Sequence, residues 1–143
     1  MTERREKKAA TPTTVVCVTD QFSCERLIHV GSRIAQLAET PLVVVSSRQL
    51  SPSLNHEALD HLFSITKSYG ADMNVFYSES PFETLLSFLQ GSGAQHVVTG
   101  MPQEENSILP LLWERFPHMN FYTVDTDSAL YPRSSERAGV SIS

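Results

Sequence analysis

Between Thr14 and Val124, short apolar runs alternate with longer stretches whose apolar residues recur at helical spacing. The first run is Val15, Val16, Cys17 and Val18, within a strand predicted over 14–19. Four more follow at Leu42 to Ser46, Met73 to Tyr77, His96 to Thr99 and Met119 to Val124. Such runs do not alternate apolar with polar, the signature of strands buried on both faces of a parallel sheet. Between the first two, Leu27, Val30, Gly31, Ile34, Leu37 and Ala38 form a stripe that predicts a helix over 23–39, with Ser23 as N-cap and Glu25 in the first turn. Thr40-Pro41 stops it. A second helix over 53–69 carries Leu54, Ala58, Leu62, Ile65 and Tyr69 on one side and ends at Gly70. Pro81 opens a third helix, which buries Phe82, Leu85, Leu86 and Leu89 and ends at Gly91 and Gly93. A fourth spans 108–117, with Pro110 in its first turn.

Strands alternating with helices predict an α/β fold, a five-stranded doubly wound parallel sheet of Rossmann-like type with helices on both faces. The pattern leaves the strand order open. Residues 1–13 read as a flexible arm, 14–124 as one domain, and 125–143, polar with Pro132 and several serines, as a flexible tail. One domain suits 143 residues, and 41% hydrophobic residues supply its core. A net charge of -5 argues against binding a nucleic-acid backbone. No run approaches the roughly 18 apolar residues of a membrane helix, and the charged start is not a secretory signal. Two cysteines, Cys17 and Cys24, make no disulfide framework. The expectation is a cytoplasmic protein.

In open α/β sheets, ligands bind beyond the carboxyl ends of the strands, so Thr19, Asp20 and Gln21 are candidates for the rim of a site. Asp20 can receive a ribose or base, or serve as a turn residue bonding nearby N–H groups. Gly100, after the fourth strand, permits close approach of a phosphate to backbone, or is a turn glycine. Neither GxGxxG nor GxxxxGK[ST] occurs. His56-Glu57 begins like HExxH, but the next histidine is His61, off the required face. His56 with Asp60 and Glu57 with His61 are expected as surface pairs. Cys24, near a helix start, is either a reactive or an ordinary thiol. No nucleophile–base pair is evident. Trp113 with Phe116 suits core packing or a partner contact.

The stretch VCVTDQFSCERLIHVGSRIAQLAETPLVVV resembles the opening of universal stress protein domains, most of all the version in the Kdp potassium-sensor histidine kinase. Cys24-Glu25-Arg26-Leu27-Ile28 matches four of five residues of that version's serine-glutamate-arginine-leucine-isoleucine run. GADMNVFYSESPFETLLSFLQGSGAQHVVTG is similar to the family's third strand, third helix and fourth strand, with Val97, Val98 and Gly100 in the matching places.

The resemblance implies a fold commonly dimeric through its last strand and often binding ATP. Asp20 and Val44 match the positions that hold the nucleoside. Gly100 matches the first glycine of the loop that holds the phosphates, followed here by Met101, Pro102 and Gln103 without the later Gly-Ser pair. Only 124 − 100 = 24 positions separate Gly100 from Val124, fewer than the family's full loop, helix and strand need. Pro102 lacks an N–H, and Glu104 and Glu105 bring negative charge. Tight ATP binding is therefore expected to be lost or altered. Cyclic di-AMP is also disfavoured, because Thr19-Asp20-Gln21 and Leu42 to Ser46 match that ligand's motifs poorly. The expectation is a non-enzymatic regulatory protein in stress or potassium and osmotic signalling. It would be a homodimer through Phe121, Tyr122 and Val124 of an open edge strand, unless the arm or the tail covers that edge, with a signalling-protein partner. The alternative is a sensor of an adenine nucleotide, ATP, AMP or cyclic di-AMP.

Overall fold

The computed structural model describes residues 12–101 and 109–133. Among them the strands are β1 (Thr13–Cys17), β2 (Leu42–Arg48), β3 (Asp72–Tyr77), β4 (Ala94–Gly100), β5 (Asn120–Val124) and β6 (Leu130–Arg133). The helices are α1 (Glu25–Ala38), α2 (His56–Ser68), α3 (Pro81–Ser92) and α4 (Leu109–Arg115). One sheet holds all six strands in the order β3-β2-β1-β4-β5-β6. The first five pair in parallel, and β6 runs antiparallel to β5. The order reverses between β1 and β4, which places the switch-point crevice at their carboxyl ends.

Successive strand residues serve opposite faces of the sheet. Val16, Val44 and Val98 pack with Leu27 and Ile28 of α1 and Leu62 of α2. Val15, Val45 and Val97 pack with Leu85 and Leu89 of α3, Leu112 of α4 and Phe121. Both layers need apolar side chains at consecutive positions, which is why the runs do not alternate. Gly31 lets α1 lie close on β1: a Cβ there would stand 2.2 Å from Val16 Cγ2.

The local details depart from expectation in four places. Ser23 is not the cap of α1. The chain tightens first into a 3-10 turn over Phe22–Cys24, with Cys24 N–H donating to the Gln21 carbonyl at 3.0 Å, so the helix starts at Glu25. Leu37, read as part of the buried stripe, is 86% exposed, and Ala35 holds the inward place. The segment read as a tail contains β6. Finally, β5 is not an open edge. It is paired along Phe121↔Arg133 to Val124↔Leu130. Phe121, offered as an interface residue, is 1% exposed in the core, and Val124 is fully buried. Arg133 explains the strand. Its guanidinium lies over Trp113 at 5.4 Å and over Phe121 at 5.3 Å, so one end of β6 is anchored on aromatic faces. Pro132 is tolerated because an outermost strand can lack an outward N–H.

Candidate crevice at the carboxyl ends of the strands

Thr19, Asp20 and Gln21 leave the carboxyl end of β1, as the apolar run predicts. Gly100 and Met101 leave β4 beside it, and Met101 is exposed. The fold therefore brings these five together. Val44 stands apart. It is fully buried mid-strand, opposite Val16 and Met73, so the rim of β2 is formed further on, toward Arg48. The expectations attached to Pro102, Gln103, Glu104 and Glu105 lie outside the described residues.

Asp20 is already engaged. One carboxylate oxygen meets Arg48 Nη2 at 3.2 Å, and the other accepts the Asn55 N–H at 2.7 Å. With only 13% of its side chain exposed, it ties the β1 turn to the end of β2 and the start of α2. Neither contact is the local turn bond expected of Asp20: the Asn55 N–H lies 35 positions on, and Arg48 contributes a side chain. Asn55 in turn caps α2, its side-chain oxygen accepting the Ala58 N–H at 3.0 Å. Thr19 also turns inward, with its N–H and hydroxyl each 3.5 Å from Cys24 Sγ. Cys24 thus sits buried against strand end and turn. Both cysteines are free, and burial pushes the Cys17 thiol up to about 12, leaving it protonated.

The residue that shapes the other side of the crevice is Arg26. Its Nε donates to the Asp125 carbonyl at 2.7 Å, its Nη1 to the Ser23 carbonyl at 2.7 Å and its Nη2 to the Val124 carbonyl at 3.4 Å. A Cβ on Gly100 would come 3.7 Å from Arg26 Nη2, so the guanidinium rests against the glycine. A cation thus lies beside Gly100 at the carboxyl end of β4, held there by main-chain carbonyls. Asp125 organises the same corner. Its carboxylate accepts the N–H groups of Ala129 at 2.8 Å and Asp127 at 2.9 Å and the Tyr131 hydroxyl at 3.3 Å. Those bonds, the Ala129 N–H foremost, together with the nearby Arg26 charge, hold its carboxyl below the usual range. Asp125 in turn raises the Tyr131 hydroxyl.

Reading the sequence missed Arg26 and Arg48. The signal available was slight: Arg26 falls off the apolar stripe of α1, and Arg48 follows a strand that the pattern ends at Ser46. The expected histidine pairs also changed partners. His61 Nε2 bonds Glu25 at 2.8 Å rather than Glu57, and the His56 ring lies 6.4 Å from that of Tyr77. A shallow groove of about 430 Å3 opens at the opposite, amino end of the sheet, bordered by Ala94, Arg115, Phe116 and Met119. Among the described residues, no group of three His, Cys, Asp or Glu is arranged to hold a metal, and no helix is long and apolar enough to cross a membrane.

No protein-family model matches the chain, and a search of the curated proteins gives no match. Solved structures do match. A universal stress protein from Archaeoglobus fulgidus superposes with a TM-score of 0.58 at 20% identity, over 80% of this chain and 92% of that one. A universal stress protein in complex with cAMP gives 0.59 at 18% identity, over 82% and 98%. The Archaeoglobus fulgidus protein in complex with dAMP gives 0.55 at 17% identity, over 81% and 98%. At these identities the likeness concerns the fold: the chain has the α/β architecture of universal stress proteins, with a sixth strand added to the mostly parallel sheet.

Proposed function

We propose that this protein is a non-enzymatic, cytoplasmic regulator of the universal-stress-protein type, acting in stress or potassium and osmotic signalling through contacts with a signalling protein. Its crevice no longer takes a triphosphate. The observation that supports this reading is Arg26 seated against Gly100 and bonded to three carbonyls. Threading a triphosphate there means displacing an arginine whose bonds also fix the β5–β6 corner. Asp20, the group that would receive a ribose, already serves Arg48 and Asn55.

A second reading, an adenine mononucleotide sensor, is favoured by two neighbours described in complex with cAMP and dAMP. It is also favoured by the charge of Arg26, since among the described residues three of the guanidinium's five N–H groups are engaged and two are left for an anion. Calorimetry and thermal shift with ATP, AMP, cAMP and cyclic di-AMP separate the two. The regulator reading expects no stabilisation by millimolar ATP. A midpoint that climbs with micromolar ATP overturns it, and one that climbs with AMP or cAMP alone selects the sensor. A homodimer stays part of the proposal, built on a surface other than β5, whose edge β6 covers. Light scattering that gives the mass of a single chain would refute it.

A further inference from the structure

Tyr69 follows α2, 40 positions after His29 of α1, yet the fold joins them. The Tyr69 hydroxyl is hydrogen-bonded to His29 Nδ1, and the two rings meet edge-on with centroids 5.6 Å apart. The other ring nitrogen, His29 Nε2, bonds Glu25 Oε2 at 2.9 Å. His61, from α2, bonds the second oxygen of the same carboxylate at 2.8 Å, and its ring lies 5.4 Å from that of Phe22. These bonds assign the protons. A carboxylate can only accept, so Nε2 of His29 carries hydrogen. In the neutral ring Nδ1 is then the bare nitrogen, and the bond to it is donated by the Tyr69 hydroxyl. The histidine bonds, that of His61 first, hold the Glu25 carboxyl below its ordinary range, so the carboxylate stays charged at neutral pH. A hydroxyl, an imidazole base and an orienting carboxylate in this order form the arrangement that activates a nucleophile.

We propose that Tyr69 is an activated nucleophile and a site of covalent acylation by activated acyl donors, with His29 as its general base and Glu25 as the positioning residue for His29. In the step, the Tyr69 oxygen forms a bond to the acyl carbon while its proton moves to His29 Nδ1. The bond between that carbon and the leaving group breaks, the leaving group departs with the electron pair, and the proton passes from His29 to solvent. The second histidine, His61, holds the carboxylate from the α2 side. Tyr69 is 43% exposed, so a donor in solution reaches it.

Two other tyrosines serve as internal controls. Tyr77 and Tyr131 are exposed to similar degrees, 47% and 50%. The Tyr131 hydroxyl donates to Asp125 at 3.3 Å, which opposes its ionisation, and among the described residues the contact of Tyr77 is with the His56 ring rather than through its hydroxyl. The test treats the full chain with p-nitrophenyl acetate at pH 7.5 and locates acetyl groups by peptide mass mapping over time. Tyr69 is expected to acetylate faster than Tyr77 and Tyr131 by on the order of 10²-fold, the usual scale of general-base assistance. His29→Gln brings Tyr69 down to the rate of the controls, and Glu25→Gln lowers it part of the way. The pH profile adds a readout that a merely structural contact would not move. In the wild type the pH profile of the Tyr69 rate differs in shape from those of Tyr77 and Tyr131, and in His29→Gln it coincides with them. Circular dichroism checks that both variants fold, and the wild-type comparison of three tyrosines stands without them. Equal rates at the three tyrosines in the wild type, or a Tyr69 rate unchanged in His29→Gln, overturns the proposal.

Discussion

Gly31→Ala is the sharpest test of how α1 sits on the sheet. The added Cβ would lie 2.2 Å from Val16 Cγ2, 3.5 Å from Leu42 Cδ1 and 3.7 Å from Val16 Cβ. Carbon atoms in good contact stand about 3.5–4.0 Å apart, so helix and strand must separate by roughly 1.3–1.8 Å at this point. Val16 cannot yield easily. It is fully buried in β1, between β2 and β4, and a β-branched side chain has few χ1 choices. Overpacking costs about 1–3 kcal/mol, and so close an approach to a fully buried, β-branched side chain belongs at the upper end, about 2–3 kcal/mol. Exchanging Gly for Ala inside a helix returns up to ~1 kcal/mol. The net expectation is a loss of about 1–2 kcal/mol, a fall in midpoint of roughly 3–10 °C for a domain of this size. Urea and thermal unfolding read it, with the fluorescence of Trp113, the one tryptophan in the chain, as probe. Gly91→Ala is the matched control, because a Cβ at that position in α3 meets nothing within 4 Å, and it should be neutral or stabilising by up to ~1 kcal/mol. In Gly31→Ala/Val16→Ala the clash is gone, so the double variant should be more stable than the sum of the single effects by about 1–2 kcal/mol. A Gly31→Ala protein as stable as wild type would show that α1 and β1 are not in this close contact, and the argument for the packing would fail.

Other outcomes follow from single contacts. Asn55→Ala removes the cap of α2 and should cost about 0.5–2 kcal/mol in denaturant unfolding, with Asn55→Asp close to neutral. Asp20→Ala strands both the Asn55 N–H and Arg48 and should cost ~1–3 kcal/mol without needing any nucleotide for the effect to appear. For Glu25 the folded carboxyl is shifted down, so its stabilising contribution is present above the unfolded carboxyl range and lost as pH falls through the folded value. Wild type should accordingly exceed Glu25→Gln in midpoint at pH 6–7, and the gap should close below roughly pH 4.5; a gap constant across that range refutes the assignment. Arg26→Met leaves the Asp125, Val124 and Ser23 carbonyls without their donor, so amide exchange should speed up in β5 and β6 before it does in β1.

The order of strands and helices was legible because burial on two faces leaves its mark on consecutive residues. Val15 and Val16 must both be apolar when one faces α3 and the other α1, whatever the neighbours in the sheet. Pro81 at a helix start and a left-handed Gly70 after α2 are likewise local facts. The four residues of β6 carry no such mark. Leu130, Tyr131, Pro132 and Arg133 are too few to read as a strand and include a proline; pairing with β5 makes them one, with Arg133 resting on the faces of Trp113 and Phe121. The candidate crevice was half legible for the same reason. Thr19, Asp20 and Gly100 follow apolar runs and so had to gather at one end of the sheet.

By itself, then, the sequence determined the type and chain order of the five parallel strands and the four helices, since those depend on patterns within a few residues. Tertiary structure alone decided what each polar group meets. Arg26 reaches carbonyls 99 and 98 positions away, Asp20 a backbone N–H 35 positions on, and Tyr69 a histidine 40 positions back. An unpaired donor or charge takes the nearest partner that the packed backbone presents, and that choice is fixed only once the strand order has brought distant segments side by side.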